Sequence, residues 1–244
     1  MHASEAHSKK LLIGGIIFPE VDQLDFTGPF EVLSEIPNSK FLVIAKTLHS
    51  IKDMKGLILT PEITFAEAPQ VDVLLIPGGR GINELMSDPE TLSFIKKQAS
   101  HATWIITVCT GSLLLGATGY FHEEKSQRYH TTTHWASHHL LSLLGASPQR
   151  QRVVQDGKLI SAAGVTSGID AALLLVSLMC GEKKAMETTL SIEYDPQPLF
   201  HTGIPEKAPN DVVEKVTKEF APMIRKREKA IRDLLSQKTS DLKS

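Results

Sequence analysis

The sequence is short of cysteine. Its 244 residues hold two, Cys109 and Cys180, too few for a disulfide framework. The chain is therefore expected to keep reduced thiols in a reducing, cytoplasmic setting. It is also short of net charge. Lys+Arg 26 against Asp+Glu 28 leaves a formal −2, which excludes a global electrostatic pull on nucleic acid or on an anionic membrane. The basic stretch from Arg225 to Arg232 reads as the solvated face of a helix. Long apolar runs are missing too. The run Leu11–Phe18 is closed at once by Pro19, Glu20 and Asp22 with no small-residue cleavage site. It reads as a buried strand, neither a signal segment nor a membrane span. No internal repeat is present. Pro77-Gly-Gly-Arg-Gly81 lacks the spacing of a dinucleotide or Walker loop, so no nucleotide cofactor is expected. His130, His134, His138 and His139 cluster without a cysteine or glutamate at ligand spacing, and no metal is expected.

What is present is an ordinary globular composition, 41% hydrophobic and 22% charged, in a chain long enough to bury a core without disulfides or metals. Apolar runs recur at Leu11–Phe18, Phe41–Ala45, Val71–Ile76 and Trp104–Val108. Continuous runs of this length suit parallel strands covered on both faces. Helical stretches fall between and after them at Pro29–Glu35, Pro89–Ser100, Ser112–Ala117 and Trp135–Leu144. The alternation indicates βαβ units and a mainly parallel sheet. Gly157 between Val153-Val154 and Leu159-Ile160 suggests a hairpin. Ile169–Met179 reads as a buried helix holding an inert Cys180 at its end, and Glu182–Ile192 as another helix. Glu193–Pro209, with four prolines, reads as an irregular loop. Asn210 or Asp211 caps a last helix towards Leu235, kinked at Pro222.

Chemistry concentrates at Cys109. It stands between the strand Trp104–Val108 and a helix from Ser112, with almost no room for a loop. So tight a turn lifts its central side chain clear of the sheet, as in a nucleophile elbow, and aims free helix amides at the sulfur, which favours thiolate. An inert buried cysteine is the competing reading. Asp25, in a loop just past the first strand, lies at the same carboxyl edge and is able to exchange protons with a cysteine there. Its competing role is a turn or helix cap, with Thr27 a rival for the cap.

Phe18-Pro-Glu-Val-Asp-Gln-Leu-Asp25-Phe-Thr-Gly28-Pro29, Ile76-Pro-Gly-Gly79, Val108-Cys-Thr-Gly-Ser112, Thr132-Thr-His-Trp135 and Gly164-Val-Thr-Ser-Gly-Ile-Asp170 together resemble the ThiJ/PfpI superfamily, and within it the isocyanide hydratases. The resemblance runs from Leu11 to about Pro209. It implies a flavodoxin-like, doubly wound α/β sandwich with helices on both faces of a mainly parallel sheet. A tail over residues 1–10, one α/β domain over 11–209, and a C-terminal helix with a frayed end over 210–244 belonging to it are expected. It further implies a homodimer, no cofactor and a small-molecule substrate, with no nucleic-acid or membrane partner. The nucleophile carries over onto Cys109, the acid/base onto Asp25 and a supporting hydroxyl onto Thr110. Substrate or oxyanion contacts carry over onto Gly78, Gly79, His134, Gly164 and Val165.

The peptidase-like branch has histidine directly after the cysteine; Thr110 stands there instead. Two departures from the hydratase pattern are the longer segment Phe121–Thr131 and Ala162-Ala163 where glycines are usual. The implied reaction is hydration of an isocyanide to an N-substituted formamide through a thioimidate. Glyoxalase or deglycase chemistry is a rival, although those relatives generally carry glutamate at the place of Asp25. The other rival is a small-molecule sensor akin to the ligand domains of AraC-type regulators. Their helix-turn-helix units need about a hundred residues, more than follow Pro209.

Overall fold

The computed structural model describes residues 10–122 and 128–241, with side chains to residue 237. The expected N-terminal tail, apart from Lys10, and the middle of the long segment before Thr132 lie outside the described residues. Along the chain, β1 (Leu11–Ile16) is followed by α1 (Gln23–Leu33), β2 (Ser39–Ala45), β3 (Ile51–Lys52), β4 (Ile58–Leu59), β5 (Ile63–Thr64) and β6 (Val73–Ile76). Then come α2 (Ile82–Leu85), α3 (Pro89–His101), β7 (Trp104–Val108) and α4 (Gly111–Ala117). The remainder holds β8 (His130–Thr131), a 3-10 helix (Trp135–Leu144), β9 (Ser147–Pro148), β10 (Val153–Asp156) and β11 (Leu159–Ala162). Three helices close it: α5 (Ser167–Cys180), α6 (Glu182–Ser191) and α7 (Asn210–Asp241).

Seven strands form one sheet in the order β10-β11-β7-β6-β1-β2-β5. Every pairing in it is parallel except the β10–β11 hairpin. This is the flavodoxin-like, doubly wound arrangement. Side chains alternate across each strand, so both faces are apolar. Leu74, Ile76 and Ile105 join one core with α3, α4 and α7. Val73, Leu75, Ile106 and Val108 join the other, with α1 and α5. That double burial is why the strands read as unbroken apolar runs. The strand order reverses between β1 and β6, and ligands of open α/β sheets bind at the carboxyl ends beside such a switch.

Three expectations are corrected. Helix α1 starts at Gln23, not Pro29, because the Asp22 side chain accepts the Leu24 N–H (3.4 Å) and caps it; Pro29 sits inside the helix. Asp25 is therefore in the first helical turn, neither a loop residue nor the cap, and Thr27 is not the cap either. The expected helical stretch Trp135–Leu144 forms, as a 3-10 helix. Helix α5 buries one face, with Leu178 exposed, and Cys180 at its last position is exposed, not buried. Helix α7 continues through Pro222 to Asp241, and its Arg227 is buried in what the sequence suggested was a solvated face.

Candidate active site

Three chain segments meet at the switch point. Cys109 follows β7 directly, with its amide donating to the Ala162 carbonyl of β11 (3.0 Å) and a φ of 54°. A left-handed φ at a non-glycine residue costs free energy and persists only where the surroundings impose it. Here both flanks do. The Thr133 hydroxyl donates to the Cys109 carbonyl (2.7 Å), and the Ser112 hydroxyl donates to the Thr132 carbonyl (2.8 Å). The Thr-Thr-His-Trp motif thus staples the elbow from outside the strand.

The second segment is the Pro77-Gly-Gly turn after β6. The Gly78 N–H donates to Asp25 Oδ2 (3.0 Å), and the Gly79 N–H donates to Thr110 Oγ1 (3.1 Å). Both amides expected to face substrate therefore hold protein side chains. A Cβ at Gly78 would come within 2.5 Å of Thr110, and Gly79 has φ 138° and bridges to Val21. Glycine is required at both positions. The Thr110 hydroxyl also donates to the Gly79 carbonyl (3.4 Å), so it is spent on the turn.

The third segment is the first turn of α1. Asp25 is fully buried. Its second oxygen, Oδ1, is buried and has no hydrogen-bond partner among the described residues, and the carboxyl and the Cys109 thiol each influence the other's ionisation. Burial first, and the nearby Asp22 charge second, hold the Asp25 carboxyl well above the usual range, against the Gly78 and Cys109 hydrogen bonds. Burial also pushes the Cys109 thiol up, as does Asp25; Arg227 and the Thr110 amide pull it down. Helix-terminal amides alone therefore do not settle the cysteine's ionisation. Two buried acids that influence each other in this way cannot both be charged cheaply, so the pair retains a proton.

His134 is partly buried, tilted against Trp135 and edge-on to Phe220 (centroids 5.5 Å from each). Its Nδ1 accepts the Ala136 N–H (3.3 Å), and burial together with Arg227 lowers its pKa to about 4. It is neutral at neutral pH, with the proton assigned to Nε2. Gly164 and Val165 lie in the loop after β11, half-buried, two and three residues past Ala162. Open space adjoins Gly164. Ala162 is buried in the sheet core. Among the described residues no group of three or more histidine, cysteine or carboxylate side chains converges as a metal site would require.

The pattern of the DJ-1/PfpI family matches residues 9–178. The chain belongs to the DJ-1/PfpI family. It is 43% identical over 217 residues to the isonitrile hydratase of Pseudomonas putida, covering 89% of this chain and 93% of that one. It is 23% identical over 145 residues to a glutathione-independent glyoxalase of Caenorhabditis elegans, covering 59% and 75%. The crystal structure of a THiJ/PfpI family protein from Pseudomonas syringae superposes with a TM-score of 0.86 at 31% identity, covering 95% of this chain and 97% of that chain.

Of the residues singled out in the sequence, the fold joins Cys109, Asp25, Thr110, Gly78 and Gly79 into one hydrogen-bonded unit. His134, Gly164 and Val165 lie at its margin. Sequence reasoning missed Arg227, which reaches this DJ-1/PfpI centre from α7. Its Nη2 donates to the Gly79 carbonyl (3.1 Å), its Nε to Asn83 Oδ1 (2.9 Å) and its Nη1 to Ser137 Oγ (2.8 Å). A signal existed: Ala230, Ile231 and Leu234, at i+3, i+4 and i+7 from Arg227, all pack into the core, so Arg227 lies on the apolar face.

Proposed function

We propose that this protein hydrates an isonitrile to an N-substituted formamide without a cofactor. The observation that carries the reading is the buried Cys109–Asp25 pair at a strained elbow, in a chain so similar to an isonitrile hydratase. The terminal isonitrile carbon accepts a soft nucleophile, which suits sulfur. Cys109 Sγ bonds to that carbon while the proton held by the pair moves to it, giving a thioimidate and leaving Asp25 as carboxylate. Asp25 then takes a proton from water as the water oxygen adds to the same carbon, and passes it to the nitrogen. The carbon–sulfur bond breaks, the thiolate leaves, and the remaining hydroxyl proton returns to the pair as the formamide forms. One isonitrile and one water are consumed per formamide, and the enzyme regains its starting state.

Thr110 acts by holding the Gly79 peptide, and Gly78 by holding the Asp25 carboxylate in place. His134 has no part as a proton donor at neutral pH, since its imidazolium is disfavoured by burial. Incubation of the purified protein with an aryl isonitrile tests the reading: formamide is expected, and its absence under saturating substrate contradicts it.

A homodimer in a reducing, cytoplasmic setting completes the proposal. Met186 and Leu190, one turn apart on α6, are exposed, as are Leu199 and Phe200 beyond it. An apolar surface of this kind suits a second copy of the chain. Sedimentation equilibrium should give a dimer; a monomer at micromolar concentration contradicts it.

A further inference from the structure

Arg227 is only 1% exposed, yet its three hydrogen bonds go to neutral groups: a carbonyl, an amide and a hydroxyl. Among the described residues no carboxylate forms an ion pair with it, whereas its neighbour Lys226 pairs with Glu84 at the surface. A buried guanidinium normally recruits a counter-ion, because removing a charge from water is costly. Here the place of a counter-ion is taken by a cluster built around the nucleophile. The Gly79 carbonyl that accepts from Arg227 belongs to the residue whose N–H binds Thr110, the neighbour of Cys109.

We propose that Arg227 is a positioning residue for the Cys109 reaction, a buried cation without a carboxylate partner that fixes the Gly79 peptide and favours the thiolate. The proposal rests on Cys109 being the nucleophile. The charges around the thiol account for the need. Burial opposes a thiolate most, and from α1 and its cap Asp25 and Asp22 oppose it further. From the segment before the 3-10 helix, His134 contributes no positive charge at neutral pH. Lys226 on α7 is engaged outside by Glu84. Arg227 is the cation among the described residues whose field reaches Cys109, and the two groups influence each other reciprocally. Burial lowers the Arg227 pKa to about 10, so the charge persists at neutral pH. Each thiolate formed, or expelled from the thioimidate, gains a counter-ion already in place, with no reorganisation at the moment of reaction.

The test is the pH dependence of Cys109 alkylation by iodoacetamide, mapped by peptide, with exposed Cys180 as internal reference. Wild type is compared with Arg227→Met, Arg227→Lys and Asn83→Asp. Asn83→Asp keeps size and acceptor, leaves the guanidinium in place and gives it a counter-ion, which a purely structural role would not register. The midpoint for Cys109 should rise by about one pH unit or more in Arg227→Met and Asn83→Asp, stay near wild type in Arg227→Lys, and leave Cys180 unmoved. An unchanged Cys109 midpoint in Asn83→Asp that melts like wild type overturns the proposal, whether or not Arg227→Met folds. Shifted midpoints without isonitrile turnover in wild type would remove the substrate reading alone. Turnover with unmoved midpoints would remove the Arg227 proposal alone.

Discussion

Replacing Asp25 by asparagine separates a proton carrier from a structural carboxyl, because the two roles predict opposite signs in stability. Asparagine keeps the size and the acceptor for the Gly78 N–H, now at 3.0 Å from Oδ2, but cannot exchange a proton. Turnover should fall by about 10² to 10⁴, the usual worth of a positioned general acid or base. Stability follows from the raised carboxyl pKa. A group with a raised folded pKa contributes stability that is fully present below the unfolded value of about 3.9 and lost as pH rises through the folded value. Between those limits wild type loses up to about 1.4 kcal/mol per pH unit from this group; the asparagine variant does not. The variant should therefore match or exceed wild type near neutrality, with a gap that widens as pH rises from 4. Urea unfolding across that range, alongside steady-state rates, measures both. A variant that turns over normally, or a stability gap that does not change with pH, rules out Asp25 as the proton carrier.

Gly78→Ala should lower activity by about 10²-fold or more and destabilise the fold by about 1–3 kcal/mol, the usual cost of overpacking, since its Cβ would meet Thr110 at 2.5 Å and Asp25 Oδ2 at 3.0 Å. Steady-state rates and thermal melts check it. His134, with its pKa lowered from 6.5 to about 4, contributes stability present above pH 6.5 and lost as pH falls towards 4. The gap corresponds to up to about 3 kcal/mol, and His134→Gln should remove that share of the acid sensitivity while retaining activity at pH 7; unfolding curves at pH 7 and 4.5 decide it.

The central strands were legible because both faces of the sheet are buried, which turns β1, β6 and β7 into continuous apolar runs. The elbow was legible because Val108 and Ser112 leave no length for a loop around Cys109. The start of α1 was not. Pro29 suits a first helical turn, but the cap is Asp22, and that choice moved Asp25 from a loop into a buried turn. Cys180 was misplaced because an apolar helix sequence does not reveal which face meets water. The partners of Gly78 and Gly79 lie 53 and 31 residues away in the chain, so no local pattern encodes them. Arg227 was hidden for a different reason: its surrounding run was weighed by charge, while the spacing to Ile231 and Leu234 carried the information about its face.

The proposed hydration requires a covalent bond to one sulfur. Intact-protein mass spectrometry and peptide mapping after mixing Asp25→Asn with an aryl isonitrile should show one adduct, confined to Cys109, with Cys180 unmodified. Cys109→Ala should give neither adduct nor formamide. Formamide produced by Cys109→Ala at the wild-type rate would exclude Cys109 as the nucleophile.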